Sequence, residues 1–454
     1  MPLLMLACAL SAAAGADASA AAPPAPAMRL HWMAPFLSGG GYCSEATEFV
    51  LGLQRNAGTA AARIQVTAEQ HGDSIDMEYV QGMDAGARAL LRTVLTPPEP
   101  TMAPSSFFVL EGAADAAAPP LVAVCHSEPG AWNLPRPNYM TSLCPPPNSA
   151  FVVGRTMFET DRLPEGWVDR LAHPKMDEVW VPTSFAARIF FDAGVPARRV
   201  KVVGEPVDVH FYDPERWTAL PLPSAGARTF KFVSVFKWEE RKGWAFLLRA
   251  YLEEFSGRDD VVLYLLCRKY HDATPIWSHI DGLAREQRGA AWRDIPDAPK
   301  LVVLDPLPQS ELARLYKAAD AFVLPSRGEG WGRPHVEAMS MQLPIIATNW
   351  SGPTEFMTEE NSYPLPIDGM DAIPANRVFG GHLWARPSVA ALRQLMRRVS
   401  SAEGREEGRR KGLQARRDMV ERFSPEVMAA LILSHAERIA TSFTLALAVK
   451  KGEL

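Results

Sequence analysis

Apolar positions along this chain come in two rhythms that alternate. Short continuous apolar runs at 29–36, 63–67, 106–110, 121–125, 150–153, 179–182 and 200–203 read as strands buried on both faces. Between them, helical spacing predicts helices at 85–95, 165–171 and 184–193, the last with Ser184 as its N-cap. Strands alternating with helices predict a parallel sheet covered on both faces. The pattern restarts with a strand at 229–236 and a helix carrying Trp244, Leu247, Leu248, Tyr251, Leu252 and Phe255 on one stripe. Such a stripe packs a helix onto a sheet, so these aromatics are read as core. Strands follow at 261–267, 300–304, 321–324 and 344–348, with an amphipathic helix at 311–319. The chain closes with helices at 389–399, 404–423 and 426–439 and an apolar tail at 443–449, long enough for the last helix to cross back and brace the first half.

The rhythm breaks once. Pro214, Pro221, Pro223 and Gly226 suppress regular structure over 206–228, which reads as a linker. The expected division is a leader at 1–27, a first Rossmann-like domain at 28–205, the linker, a second Rossmann-like domain at 229–425, and a C-terminal helix and tail at 426–454. A length of 454 residues fits two cores better than one.

Composition removes several function classes. With 47% hydrophobic and 22% charged residues the chain is globular, and a net charge of −5 with interspersed signs gives no reason to expect a nucleic-acid partner. No run approaches the ~20 apolar residues of a spanning helix. Cys8, Cys43, Cys125, Cys144 and Cys267 show neither metal-ligand nor redox spacing, so no disulfide framework is expected. The segment 2–10 is apolar and small residues follow it, which resembles a secretory signal without a preceding Lys or Arg; an Ala/Pro leader of low complexity is the alternative. The terminal Lys-Gly-Glu-Leu resembles an ER-retrieval tail but has Gly452 where Asp is usual. The sequon Asn349-Trp350-Ser351 lies where a glycan would obstruct the loop described next. Secretory lumen and cytoplasm both stay open.

Chemistry concentrates between 321 and 355. A buried strand runs into the glycine-rich loop 326–332, Pro334 occupies a first-turn helix position, and a second buried strand follows. Glu329 sits in the loop and Glu337 just inside the helix. Glycines admit close backbone approach, and helix N-termini offer N–H donors to anions. Lys237 and Lys242 follow the strand at 229–236, and Gly40 and Gly41 close a Gly-rich turn after the first strand. His126 stands just past the strand at 121–125, at the strand end where ligands of open α/β sheets collect; a His bonded into a loop is the alternative. The Pro- and Asn-rich stretch 129–148 reads as a long loop on the acceptor side. A diphosphate needs positive charge and N–H donors, and sugar hydroxyls need carboxylate acceptors; one constellation supplies both.

These residues resemble the retaining, GT-B-fold glycosyltransferases of family 4, the glycosyl transferases group 1 domain. The marker is Glu-x7-Glu, matched by Glu329-Gly-Trp-Gly-Arg-Pro-His-Val-Glu337. The resemblance covers most of 229–425 and reduces to general architecture over 28–205. It implies two Rossmann-like domains facing across a cleft and transfer of a hexosyl group from a nucleoside-diphosphate sugar, with retention and with neither metal nor cofactor. It implies that Glu329 meets the donor sugar, that the N–H groups of Gly330, Trp331 and Gly332 line it, and that Glu337 holds the ribose. The family's Arg-x4-Lys pair, which grips the diphosphate, survives as Lys237-x4-Lys242, and Lys lacks the Arg fork. His126 resembles a first-domain His that contacts the donor sugar, and Gly40 and Gly41 resemble the loop near the diphosphate. The acceptor, whether glycan, lipid or protein, is not specified. Alternatives are a GT-B epimerase or phosphorylase and a sugar-nucleotide or glycan-binding protein with little catalysis.

Overall fold

Two six-stranded sheets, parallel throughout, organise the chain in a computed structural model that describes residues 28–56, 64–96, 119–132, 143–269 and 274–451. The first sheet holds β1 (Met28–Ala34), β2 (Ile64–Gln70), β3 (Leu121–His126), β4 (Phe151–Arg155), β5 (Glu178–Val181) and β6 (Val200–Val202). Helices α1 (Gly41–Arg55), α2 (Met77–Gly82), α3 (Ala85–Val94), α4 (Trp167–Leu171) and α5 (Ser184–Asp192) connect its strands. The second holds β7 (Phe230–Trp238), β8 (Val261–Lys269), β9 (Lys300–Val303), β10 (Ala321–Leu324), β11 (Ile345–Thr348) and β12 (Tyr363–Leu365). Its helices are α6 (Trp244–Glu254), α7 (Ile276–Arg288), α8 (Gln309–Ala318) and α9 (Arg333–Ser340). A hairpin of β13 (Ile367–Ala372) and β14 (Leu383–Pro387) follows, then α10 (Val389–Ser400), α11 (Ala402–Phe423) and α12 (Pro425–Lys451).

Strand order explains where a ligand can sit. The first sheet runs β2-β1-β3-β4-β5-β6, and the second β12-β11-β10-β7-β8-β9. In each, the chain builds outward one way, then returns and builds the other way. The reversals fall between β1 and β3 and between β7 and β10. At such a switch point adjacent loops diverge and leave a crevice at the carboxyl ends of the strands. The loops there carry Gly40 and Gly41 in the first half, and Lys242 and Glu329 in the second.

Apolar patterning accounts for the layers. Every residue of β3 and of β10 is buried, as expected of strands covered on both faces. On α6 the stripe Leu247, Leu248, Tyr251 and Leu252 is buried, and Trp244 stacks on Trp238 with ring centroids 4.8 Å apart. The last helix does cross back. α12 lies along α1, Arg438 pairs with Glu178 of β5 at 2.7 Å, and His435 lies 5.2 Å from the Trp180 ring. The expected break near 439 does not occur, and α12 runs on as one helix to Lys451.

Several expectations need correction or fall elsewhere. The N-cap of α5 is Thr183, whose Oγ1 accepts from the Ala186 N–H at 2.9 Å; the Ser184 N–H instead donates to Glu355 of the other half at 2.7 Å. Cys125 and Cys144 form a disulfide, contrary to the reading of their spacing, and tie the end of β3 to the segment entering β4. The pairing depends on the sheet bringing a loop back to a strand end, which cysteine spacing does not encode. The helix α7, the strand β12 and the β13–β14 hairpin were not anticipated. The leader at 1–27, the strand at 106–110, Arg63, much of the loop at 129–148 and the last three residues lie outside the described residues. No helix among the described residues is long and apolar enough to cross a membrane.

The α1–α12 contact can be tested at Gly52. A Cβ there would lie 2.7 Å from the Pro425 carbonyl oxygen. Propensity alone makes Gly-to-Ala within a helix stabilising by about 0.5–1 kcal/mol. The close contact reverses the sign, so Gly52→Ala lowers the urea midpoint; a raised midpoint would show that α12 does not pack there.

Candidate functional site

The turn after β7 is a single 3-10 turn, Glu240–Lys242, that hands over to α6 at Gly243. Gly243 has φ of +68°, and a side chain there would collide with the Pro325 carbonyl. This close approach sets the lysine-bearing turn directly against the loop that leaves β10. In the loop, the Glu329 N–H donates to Ser351 Oγ at 3.0 Å and the Glu329 carbonyl accepts from the Gly352 N–H at 2.9 Å. Ser351 itself holds a left-handed conformation, φ +61°, so the turn after β11 is shaped to clasp this loop.

The carboxylate of Glu329 is buried and accepts two bonds from Lys242 Nζ, at 2.8 and 2.7 Å. Arg241 Nη1 adds a third contact at 3.1 Å. Burial pushes the Glu329 carboxyl up, but the ammonium of Lys242 and the guanidinium of Arg241 outweigh it and hold the pKa down at about 2. Glu329 is therefore an ionised acceptor at neutral pH and no proton donor. Lys242 has three N–H donors and commits two of them here, leaving one for a ligand.

Lys237 stands exposed at the end of β7. Partial desolvation of the side chain, together with the nearby Lys242 and Arg241 charges, lowers its pKa against the opposing pull of Glu239 and of Asp73 from the first half. Glu337, on α9, is buried and accepts from the Tyr316 hydroxyl at 3.0 Å; burial raises its pKa against the opposing pull of Arg333 and Tyr316. Gly332 is the residue before α9, with φ of +121° and no side-chain cap, so only glycine suits it. Trp331 has its side chain in the core, 5.1 Å from both Phe356 and Phe423, and anchors the loop from below.

Across the switch point, α1 begins at the exposed Gly41 behind Gly40, with no side-chain cap and no acidic residue in its first turn. That is an open helix N-terminus suited to an anion. His126 does not join the group. Its ring is fully buried, Nδ1 accepts from the Trp32 indole at 2.9 Å, and Nε2 faces Glu45 at 2.9 Å. Indole N–H is only a donor, so the ring proton sits on Nε2 and points at Glu45. Glu45 is also held by Arg155, whose Nε donates at 2.7 Å, and that pairing offsets burial to keep its pKa at about 2. The expected contact of His126 with a sugar is thus replaced by another role: the Trp32–His126–Glu45–Arg155 chain fixes α1, and α1 aims Gly40 and Gly41.

The two halves meet at this site. Gly328 lies against the Glu159 carbonyl and Gly330 against the Met157 side chain, so both glycines serve the contact between halves. Arg333, at the head of α9, pairs with Glu48 of α1 and donates to the Pro206 carbonyl. The β13–β14 hairpin adds Thr160 Oγ1 to His382 Nδ1 at 2.8 Å and the Leu383 N–H to Asp161 at 2.6 Å. Sequence reasoning missed Arg241, Ser351, Glu355 and the segment 157–161. Only Arg241 left a signal, standing beside Lys242 in Glu-Arg-Lys-Gly. No cluster of three or more His, Cys, Asp or Glu arranged to hold a metal occurs among the described residues.

The Glu329 carboxylate should leave a pH signature. Its folded pKa of about 2 lies below the ordinary 4.5, so its stabilising contribution is fully present above pH 4.5 and is lost as pH falls towards 2. The stability gap between wild type and Glu329→Gln, measured by urea unfolding, is expected to narrow steadily across that window. A gap independent of pH would show that the carboxylate is not held ionised by its partners.

Residues 227–373 match the model of a family described as "Glycosyl transferases group 1". Over 70 residues the chain is 39% identical to O-antigen chain mannosyltransferase B of Escherichia coli, a match spanning 15% of this chain and 18% of that protein. A solved glycosyltransferase from Rickettsia africae superposes with a TM-score of 0.57 at 12% identity, covering 91% of this chain and 98% of that one. HepE of Anabaena, solved in complex with UDP and glucose, gives 0.55 at 13% identity, covering 90% of this chain and 100% of the other. These structural likenesses extend over both halves and concern the fold. The chain has the two-domain GT-B fold, and its residues 227–373 match the glycosyl transferases group 1 family model.

Proposed function

We propose that this protein transfers a hexosyl group from a nucleoside-diphosphate sugar to an acceptor hydroxyl, with retention at the anomeric carbon and without a metal ion. The observation that carries the reading is the buried Lys242–Glu329 pair at the switch point of the second sheet, inside the matched segment. The ammonium suits a diphosphate oxygen and the ionised carboxylate suits sugar hydroxyls. Lys237 and the open N-terminus of α1 add positive potential from either side. Glu337, held by the Tyr316 hydroxyl, is the carboxylate assigned to the ribose hydroxyls.

In this reading the bond between the anomeric carbon and the diphosphate oxygen breaks as the acceptor oxygen attacks from the same face. The departing phosphate oxygen takes the acceptor proton. Charge grows on the diphosphate, and Lys237 and Lys242 stabilise it electrostatically, the part a divalent cation plays elsewhere. Glu329, engaged by two cations, holds the sugar and is no nucleophile. UDP-linked hexoses head the donor candidates, since HepE was solved with UDP and glucose.

The test offers UDP-, GDP- and ADP-sugars with simple glycans, lipids and peptides, and follows nucleoside-diphosphate release. Release that depends on acceptor, an axial or equatorial anomeric configuration matching that of the donor by proton NMR, and a rate unchanged by EDTA are expected. Lys242→Ala should cut the rate about 100-fold or more in a protein that stays folded. Binding of sugar nucleotides with no release under any acceptor would favour a binding protein instead.

A further inference from the structure

Arg241 lies where the two halves and the reacting loop converge. Its guanidinium donates to the Gly328 carbonyl at 2.8 Å, to Glu329 at 3.1 Å and to Glu239 at 2.8 Å, and its Nε faces Glu159 of the first half at 3.3 Å. Its own carbonyl accepts from the Arg327 N–H at 2.7 Å, so the backbone is fixed as well. One planar fork therefore touches the turn after β7, the glycine loop, the Glu329 carboxylate and the opposite half. A lysine, with a single charged atom, could not span them. Three carboxylates around one partly buried cation outweigh its desolvation and raise its pKa, so it stays charged.

Lys242 faces two demands. Its two side-chain hydrogen bonds go to Glu329, yet a diphosphate at the switch point would draw its ammonium away. A buried carboxylate left without a cation is costly. Arg241 removes that conflict, because it holds Glu329 from the other side. It is tied to Glu159 only when the halves are together.

Building on the transfer reading above, we propose that Arg241 is a positioning residue that links closure of the two halves to the alignment of Glu329, with Glu159 as its anchor in the first half. With the halves apart, Arg241 keeps its partners in its own half but loses its Glu159 anchor, so Glu329 leans more on Lys242 and the ammonium is less free to meet phosphate. With them together and a donor bound, Arg241 carries Glu329 while Lys242 turns to the leaving group. Donor binding and closure then assist each other.

The experiment compares wild type with Arg241→Ala, Arg241→Lys, Glu159→Gln and the double variant Arg241→Ala/Glu159→Gln, each checked for folding by circular dichroism. Two readouts are taken: steady-state transfer, and the radius of gyration by small-angle X-ray scattering with and without nucleoside diphosphate. The proposal expects kcat to fall about 10-fold or more in Arg241→Ala while KM for the donor moves less than about threefold. It expects Arg241→Lys to regain folding stability without regaining kcat, and the double variant to be no worse than Arg241→Ala. Arg241→Ala and Glu159→Gln should each be more expanded in solution and compact less with nucleotide. Restoration of kcat by lysine, strictly multiplicative effects, or scattering identical to wild type would overturn it. Glu159→Gln keeps the test alive should Arg241→Ala fail to fold. A wild type inert towards every sugar nucleotide would instead remove the transfer reading, and scattering would still decide whether Arg241 and Glu159 hold the halves together.

Discussion

The ion pair between Lys242 and Glu329 is the constraint on which the rest of the site depends. A buried carboxylate is tolerated only with partners close enough to offset its desolvation. Here those partners come from a different connection of the same sheet, so the loop after β7 and the loop after β10 cannot be placed independently. Gly243 lets the first approach the second, and Ser351 and Gly352 hold the second from behind. The strand order decides that these two loops are neighbours; the pair decides how they face each other.

A second set of buried charges does comparable work in the first half without touching the reacting group. Glu45, Arg155 and His126 lock α1 onto the sheet, and α1 presents Gly40 and Gly41 at the opposite side of the crevice. Around the crevice the halves also meet through small, mostly polar contacts. Glycines admit the Glu159 carbonyl and Met157, Glu355 caps α5 from the far side, Arg333 reaches Glu48, and the β13–β14 hairpin clips onto 160–161. Polar contacts of this kind suit a joint that opens and closes.

Much of this was legible in the sequence, for reasons of range. β10 was placed to the residue, and Glu329, Lys242 and the glycine loop were found together, because each lies in a short pattern of local cause. The cross-back of α12 followed from its length and position. What was not legible depends on partners far along the chain. His126 was rightly placed at a strand end, but Trp32 and Glu45 bury its ring, and neither neighbours it in sequence. The Cys125–Cys144 bond, the capping of α5 by Glu355 and the span of Arg241 are likewise products of tertiary approach. The hairpin escaped notice because its first strand, Ile367–Ala372, is mostly half-exposed and lacks a clean apolar alternation.

The central claim divides the work of the pair: Lys242 meets phosphate, and Glu329 meets sugar. Calorimetric titration of Lys242→Ala and Glu329→Gln with a nucleoside diphosphate and with its hexose conjugate tests this most directly. The account predicts that Lys242→Ala weakens both ligands, whereas Glu329→Gln weakens only the conjugate and leaves the plain diphosphate bound at least as tightly. Equal losses for both ligands in Glu329→Gln, or undiminished binding of both in Lys242→Ala, would contradict it.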